Sequence, residues 1–328
     1  MNRTGLAGGL IVVAVVVAAC LAFIASVPRR ETGARTELIP REPPPPATAS
    51  PTRGLPAREA VRAPGTVGPP TPPNPRADAR LQAVVAEAVG ETDASVSVVV
   101  KRLTDGLSAE VEADHVYYAA SLFKLAVLYE AALRLSAGTL ALDDALQLTA
   151  EDFMEDLGTG GVLPSNDEGA IAVSDALEAM VTRSDNVTAV AFLHHFGGDT
   201  VDATLRGIGL RDTTVNDRSL PTTARDMAAL MEALTLGIGL DDATWRYVMD
   251  LLARQEMREA VLAGIPDGVN AGAKWGAWPD DGGAGHDAGF VDGPTGTYVI
   301  AVLSDQPWGW ELIARVSGAV YEELARTP

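Results

Sequence analysis

A change in composition near residue 78 decides which part of this 328-residue chain can fold. Fourteen of the twenty-one prolines lie in residues 28–78, including an uninterrupted run of four at positions 43–46. This stretch has few aromatic or branched apolar side chains, so it cannot bury a core, and we predict a disordered or polyproline-like linker. Globular patterning starts at residue 79, so residues 79–328 must supply the folded domain.

An uncharged apolar run occupies residues 5–27, ahead of this linker. A span of this length can cross a bilayer, which takes about 20 residues, whereas the apolar part of a cleaved signal peptide has roughly 7–15. We therefore predict that residues 1–27 are a transmembrane anchor or signal segment. The alternative is lipoprotein processing at Cys20, the only cysteine, although apolar residues continue past it.

The charges around the apolar run favour opposite orientations. Arg3 precedes the run and three arginines follow it, which by the positive-inside bias favours a cytoplasmic C-terminus. A short tail ahead of the first apolar stretch is instead typical of export signals, and the proline-rich stretch is typical of an extracytoplasmic spacer. We expect a membrane-anchored domain on the extracytoplasmic face, in the cell envelope.

The charge of the chain divides at the same boundary. Residues 1–78 have nine arginines and five acidic residues, net +4, whereas residues 79–328 have sixteen basic and thirty-nine acidic residues, net −23. A domain with this net negative charge repels phosphate backbones, and we therefore expect no nucleic-acid partner. His194 and His195 lack a cysteine or carboxylate at metal-ligand spacing, so we predict no metal and no cofactor. We expect a monomer.

Hydrophobic periodicity predicts strands near both ends of the domain and helices between them. The predicted strands span residues 95–100, 108–113, 269–274, 288–291 and 297–304. The predicted helices include residues 79–89, 121–137 and 310–325, and helical patterns fill most of the interval up to about residue 262. This order predicts an α/β fold of the α+β sandwich type, whose sheet is assembled from both chain ends around an inserted all-helical lobe. A site is expected at the seam between sheet and lobe.

Lysine is rare in this chain: Lys101, Lys124 and Lys274 stand against twenty-two arginines. A buried amine can lose its proton and a guanidinium cannot, so a lysine beside a serine indicates a neutral base. Lys124 follows Ser121 by three residues at the start of an apolar helix, so the two side chains share a face. Burial favours the neutral amine, which can accept the serine proton. We interpret the pair as a nucleophile and its base.

Two further motifs follow, with 90 residues between their first members: Ser184-Asp185-Asn186 and Lys274-Trp275-Gly276-Ala277. The first, by itself, is an ordinary helix-capping sequence between two predicted helices. The second is predicted to end a strand. There Gly276 permits close backbone approach by a ligand, and Lys274 supplies a cation for a carboxylate.

The order S-x-x-K, S-D-N, K-x-G at residues 121, 184 and 274 resembles that of the penicillin-recognising serine enzymes, in particular the class A β-lactamase group. The resemblance spans roughly residues 79–328. It implies a β-lactamase-like fold with an antiparallel sheet. It also implies acyl-enzyme chemistry on β-lactams or on peptides ending in D-Ala-D-Ala.

The resemblance also implies roles for the motif residues, some catalytic and some in substrate binding. Ser121 would be the acylated nucleophile, Lys124 its base, and Ser184 the donor of a proton to the leaving nitrogen. Asn186 would hold the substrate's amide side chain and Lys274 would steer its carboxylate. The backbone N–H groups of Ser121 and Ala277 would form the oxyanion hole.

The sequence departs from the family pattern in the loop after S-D-N. Family members that hydrolyse β-lactams use a glutamate there to activate the deacylating water, but no glutamate occurs between Glu178 and Glu232. The matching stretch, residues 212–221, is shortened. Asp217 is the nearest carboxylate substitute, although Asn216-Asp217 is more simply a turn or cap.

A second departure lies in the K-x-G motif. Trp275 stands where the family has a threonine or serine, and an indole can stack on a substrate but cannot replace an alcohol. Nearby, we interpret His286 as a structural hydrogen-bonding residue, not a general base.

Two hypotheses of different classes follow. The first is an extracytoplasmic serine hydrolase that forms an acyl-enzyme through Ser121, with slow or absent turnover of β-lactams. The alternative is a non-catalytic cell-envelope binding module that retains the fold. The physiological substrate stays open in both.

Overall fold

The computed structural model describes residues 76–154, 169–279 and 283–327. The predicted anchor at residues 1–27 and nearly all of the predicted linker lie outside these ranges, so both stay predictions. Within the ranges, no helix is long and apolar enough to cross a membrane.

The described part of the chain contains ten strands and nine α-helices. The strands are β1 (Arg76–Ala77), β2 (Val96–Arg102), β3 (Leu107–Val111), β4 (Tyr117–Tyr118), β5 (Ala145–Gln147), β6 (Ala170–Ala172), β7 (Pro221–Thr222), β8 (Ala271–Trp278), β9 (Ala284–Gly293) and β10 (Gly296–Ser304). The helices are α1 (Ala79–Val89), α2 (Phe123–Ser136), α3 (Ala150–Met154), α4 (Val173–Thr182), α5 (Asn186–Phe196), α6 (Gly198–Gly207), α7 (Ala224–Leu236), α8 (Asp242–Ala253) and α9 (Trp310–Arg326).

One sheet organises the domain, with strand order β1-β3-β2-β10-β9-β8. Its pairings are antiparallel except for the two-residue β1 beside β3. Strands from the two ends of the domain meet where β2 pairs with β10. This arrangement confirms the predicted α/β fold with a sheet assembled from both chain ends.

Both faces of the sheet are covered, because its central strands are apolar on both sides. Val98, Val100 and Ile300 face a core completed by α1 and α9. Val99 and Val299 face a second core made with the helices between β4 and β8, the helical lobe. Near-continuous valine and isoleucine in a strand is the pattern expected when both faces are buried.

The helical lobe is built around α2. This helix is apolar nearly all round and is buried from Lys124 to Ala132, as expected for a helix surrounded by others. Side-chain caps begin the neighbouring helices: Asp185 caps α5, Thr223 caps α7 and Asp241 caps α8.

Two local predictions were wrong. Ser121 lies in a 3₁₀ turn, Ala120–Leu122, and not in the first turn of an α-helix; Ala120 has a left-handed φ of 45°, which prevents a regular helix start. Lys274 lies in the middle of β8 and not at a strand end, because β8 pairs with β9 without interruption as far as Trp278. The strand was predicted to end before Gly276 because glycine is depleted in strands.

Candidate active site

Ser121 and Lys124 contact each other where the sheet meets the helical lobe. Lys124 Nζ lies 3.1 Å from Ser121 Oγ. Lys124 is completely buried although it is a lysine. An amine removed from water in this way is disfavoured as an ammonium ion, which is the condition that a lysine base requires.

Residues of the S-D-N motif contact the same amine. Lys124 Nζ lies 2.5 Å from the backbone oxygen of Ser184, 3.0 Å from its Oγ, and 2.6 Å from Asn186 Oδ1. The carbonyl and amide oxygens can only accept hydrogen bonds. A neutral amine satisfies both with its two N–H groups and keeps a lone pair for a hydroxyl proton.

Ser184 also joins this amine to the second lysine of the motif set. Lys274 Nζ donates to Ser184 Oγ at 3.0 Å and to the backbone oxygen of Trp275 at 2.9 Å. Ser184 Oγ therefore lies within hydrogen-bonding distance of both amines. A hydroxyl between two amines can receive a proton from one side and release it on the other.

Lys274, predicted to supply a cation for a carboxylate, lies out of contact with water. It is completely buried, and burial lowers the pKa of its amine well below the usual lysine value; a protonated Lys124 would lower it further. Asp287 opposes this lowering. Its ammonium form is therefore costly unless an anion lies nearby.

Gly276 brings β8 against the turn that contains the nucleophile. A Cβ at this position would lie 3.0 Å from both Ala119 O and Ser121 N. The glycine therefore permits close approach of the protein's own backbone; the predicted approach of a ligand at Gly276 stays a prediction. Ala277 is the next residue of the strand, which places its backbone beside the Ser121 turn.

Three residues other than glycine have left-handed backbone near this site. They are Ala120, Ser184 and Leu220, with φ of 45°, 62° and 39°. Leu220 O accepts a hydrogen bond from Ala119 N at 2.8 Å, so its strained segment joins the one that precedes Ser121. Strained backbone that the surroundings hold in place clusters at functional sites.

The loop at residues 212–221 is fixed by buried acids behind it. Asp202 accepts from Val215 N and Asn216 Nδ2, and Asp226 accepts from Asp212 N and the Thr213 hydroxyl. These carboxylates serve as anchors for the loop backbone.

Asp217 itself is exposed and turned toward its own loop. Its Oδ1 accepts from both the backbone N and the hydroxyl of Ser219, each at 2.8 Å. These hydrogen bonds lower the pKa of Asp217. The contacts match the turn interpretation and give no support to a role in deacylation.

His286 supports the segment just before the nucleophile. It pairs with Gly276 across β9 and β8, and its Nε2 donates to Tyr118 O at 2.9 Å while Nδ1 accepts from Ser304 N at 3.1 Å. Burial lowers the pKa of His286 to about 4. A neutral imidazole with both nitrogens engaged in backbone hydrogen bonds is structural, as we expected.

Trp275 packs on protein groups at the position where the family has an alcohol. Its ring centroid lies 4.9 Å from Lys274 Nζ and 6.1 Å from the ring of Trp310. The indole therefore offers Lys274 a π face in place of a hydroxyl. Its backbone N donates to Gln255 Oε1 at 2.9 Å.

Sequence reasoning missed three residues that the fold brings to the site. Tyr118 and Trp278 form an edge-to-face pair, 5.9 Å between centroids, beside Ser121 and Ala277. Asp287, from β9, is buried and affects Lys274. The aromatic residues could have been noticed as flanks of the motifs, but the position of Asp287 depends on strand register.

The remaining lysine and the two adjacent histidines lie outside the site. Lys101 forms an ion pair with Glu232 at 2.7 Å. His194 Nδ1 lies 2.8 Å from Asp152 Oδ1. Over the described ranges, no group of histidine, cysteine and acidic side chains is arranged to hold a metal ion.

Comparisons with known proteins show the family of this chain. A model of the beta-lactamase enzyme family matches residues 76–324. The chain belongs to that family. No curated protein matches the sequence significantly.

Solved structures of the same fold include penicillin-interacting and β-lactamase proteins. PBP-A is 26% identical with a TM-score of 0.68, over 76% of this chain and 98% of PBP-A; a mutant of it with the same values is described as an acyl-enzyme complex with penicillin-G. An ancestral class A β-lactamase is 23% identical with a TM-score of 0.65, over 74% of this chain and 99% of the other. A β-lactamase from Sphaerobacter thermophilus is 23% identical with a TM-score of 0.66, over 76% and 98%. The protein therefore has the serine hydrolase fold of the β-lactamase family.

Proposed function

We propose that this protein is an acyl-transferring serine hydrolase that forms a long-lived acyl-enzyme through Ser121 with β-lactams or D-Ala-D-Ala-like peptides. One observation carries the proposal: a completely buried amine, Lys124 Nζ, lies 3.1 Å from Ser121 Oγ. A surface lysine following a capping serine would have its amine in water, where it is protonated at neutral pH.

Acylation requires a proton to leave Ser121 and another to reach the leaving nitrogen. Lys124 accepts the Ser121 proton as Oγ bonds to the substrate carbonyl carbon. The carbon–nitrogen bond then breaks, and Ser184 donates its proton to the nitrogen while it recovers from Lys124 the proton that Lys124 took from Ser121. The contacts of Ser184 Oγ with both amines support this relay. The N–H groups of Ser121 and Ala277 would stabilise the oxyanion.

Substrate binding draws on the remaining motif residues. Asn186 would hold the amide side chain and Lys274 would attract the carboxylate that penicillins and peptide C-termini share. Support for the substrate class comes from the PBP-A mutant described as an acyl-enzyme complex with penicillin-G.

Slow deacylation follows from the loop at residues 212–221. It contains no glutamate, and Asp217 is exposed and engaged with Ser219. Without a glutamate to activate water, the ester at Ser121 should persist.

Labelling with a fluorescent penicillin, read on a denaturing gel, tests the assignment. The wild type and Lys101→Arg, which alters the structural lysine, should both be labelled, whereas Ser121→Ala should not. Absence of label in correctly folded wild type would favour the alternative, a binding module without turnover. Label on Ser121→Ala would place the nucleophile elsewhere.

We also propose that the domain works outside the cytoplasm, attached to the membrane through residues 1–27. The length of the apolar run at residues 5–27 and the proline-rich composition that follows support this. Protease treatment of intact cells should digest the domain, and membrane fractions should retain the full chain. A protected or freely soluble full-length chain would contradict the proposal.

A further inference from the structure

Asp287 is a buried acid that the reaction proposed above does not use. It is 1% exposed, its Oδ2 accepts from Val261 N at 2.9 Å, and no described atom pairs with its Oδ1. A carboxyl group this deeply buried is normally hydrogen-bonded through both oxygens or paired with a charge.

The strand register places Asp287 and Lys274 on adjacent rungs of the β8–β9 pairing. Asp287 lies opposite Trp275, and Lys274 lies opposite Ala288, in the continuous β8–β9 pairing. The carboxyl and the amine therefore come from adjacent rungs of the same two strands. Lys274 faces the helical lobe through Ser184, and Asp287 faces the turn at Val261 on the other side of the sheet.

The partners of Lys274 itself are neutral. Its amine contacts a hydroxyl, a carbonyl oxygen and the ring of Trp275. Two ionisable groups act on it: Lys124 from α2 lowers its pKa when protonated, and Asp287 from β9 raises it when ionised. His286, on the same strand as Asp287, is neutral. Asp287 is therefore the group that opposes the effect of burial on Lys274.

We propose that Asp287 is a positioning residue whose negative charge, acting through the sheet, keeps Lys274 protonated for the carboxylate of the substrate. The inference rests on the proposed function in giving Lys274 that task, but the electrostatic coupling itself can be measured without any substrate. Because both groups are buried, their charges influence each other more strongly than the same charges would in water.

The scarcity of lysine makes the measurement direct. Protein labelled with ¹³C at lysine Cε gives three signals, from Lys101, Lys124 and Lys274, which Lys→Arg variants assign. Lys274 should titrate at lower pH in Asp287→Asn than in wild type, while Lys101, paired with Glu232, should not move. The matched control is Asp292→Asn. Asp292 lies on the same strand, but its carboxylate accepts hydrogen bonds from Asn270 and Thr297 and does not act on Lys274.

The same spectra contain a test that needs no variant at Asp287. Burial raises the pKa of Asp287 to about 7, so the wild-type Lys274 signal should show an inflection near pH 7 as the carboxyl ionises. A Lys274 signal that is flat there, or an identical midpoint in folded Asp287→Asn, would overturn the proposal. The first criterion applies even if the variant does not fold.

A kinetic measurement separates this role from a structural one. In Asp287→Asn, the second-order rate constant for penicillin acylation should fall about tenfold at pH 8, the scale of a weakened charge-assisted hydrogen bond. At pH 5.5 the wild-type Asp287 carboxyl is protonated and is uncharged like the asparagine of the variant, so the rate constant should be unchanged. Equal loss at both pH values would mean a merely structural role. If wild type is not acylated at any pH, the proposed function fails, and the lysine titration still decides whether Asp287 acts on Lys274.

Discussion

Two groups of residues around Ser121, the serine side and the loop side, differ in the contacts of their ionisable groups. On the serine side, Ser121, Lys124, Ser184 and Lys274 form a continuous chain of contacts between 3.0 and 3.1 Å. On the loop side, residues 212–221 are held by backbone contacts to buried acids, and the two carboxylates of the loop, Asp212 and Asp217, are exposed. Acylation needs only the first side and hydrolysis of the ester needs both, which is why we expect the reaction to stop at the acyl-enzyme.

Titratable groups show the same contrast. Lys274, His286 and Asp287 are buried, and each has a displaced pKa. Such groups gather at functional sites because burial and charged neighbours are arranged there. On the loop side, the pKa of Asp217 is lowered only by hydrogen bonds within its own turn.

The largest effect should come from removing the base on the serine side. Lys124→Ala should lower the acylation rate by about a thousandfold, because no group remains to accept the Ser121 proton. Lys124→Arg should be equally impaired, since a guanidinium keeps its proton. Stopped-flow measurement of penicillin acylation checks both. An active Lys124→Arg would show that charge, and not proton acceptance, is what this position provides.

The buried pair on β9 should give opposite pH dependences of stability. Asp287 stays protonated in the folded state up to about pH 7, whereas the unfolded carboxyl ionises near pH 4, so it destabilises the fold as pH rises between these values. His286 stays neutral down to about pH 4, so stability falls as pH drops from about 6.5. Across its pH interval, each group changes the free energy of unfolding by roughly 3–4 kcal/mol.

Single substitutions should expose the two slopes. In urea unfolding from pH 4 to 7, Asp287→Asn should make stability rise more steeply with pH than in wild type, and His286→Asn should make it fall. Parallel curves for the two variants and wild type would refute the assignment of these pKa shifts.

A smaller effect is expected where β8 meets the Ser121 turn. Gly276→Ala should destabilise the protein by about 1–3 kcal/mol, because the added methyl would press on Ala119 O and Ser121 N. Gly207→Ala is the matched control, since a Cβ there meets nothing within 4 Å. Urea unfolding measures both, and equal midpoints would show that the turn can yield.

The smallest effect is expected on the loop side. Asp217→Asn should leave the lifetime of the acyl adduct unchanged within about twofold, because this carboxylate serves only its own turn. Adduct decay followed by mass spectrometry checks this. A much longer lifetime in the variant would give Asp217 the role in deacylation that its contacts do not indicate.

Sequence reasoning succeeded where the information was local or periodic. The strands at both ends, the buried α2 and the pairing of Ser121 with Lys124 follow from apolar spacing and from a three-residue separation. It failed where the answer depends on partners distant in sequence. Three features arise from register and packing, which a linear pattern does not contain: the left-handed Ala120, the extension of β8 to Trp278, and the placement of Asp287 one rung from Lys274.

The most direct test is the fate of one ester. Wild-type protein is mixed with a penicillin, excess reagent is removed, and intact mass is followed from seconds to hours. We expect a single adduct of the whole penicillin on Ser121 that persists for hours. An adduct that forms and disappears within seconds would contradict the account, because some group on the loop side would then be activating water.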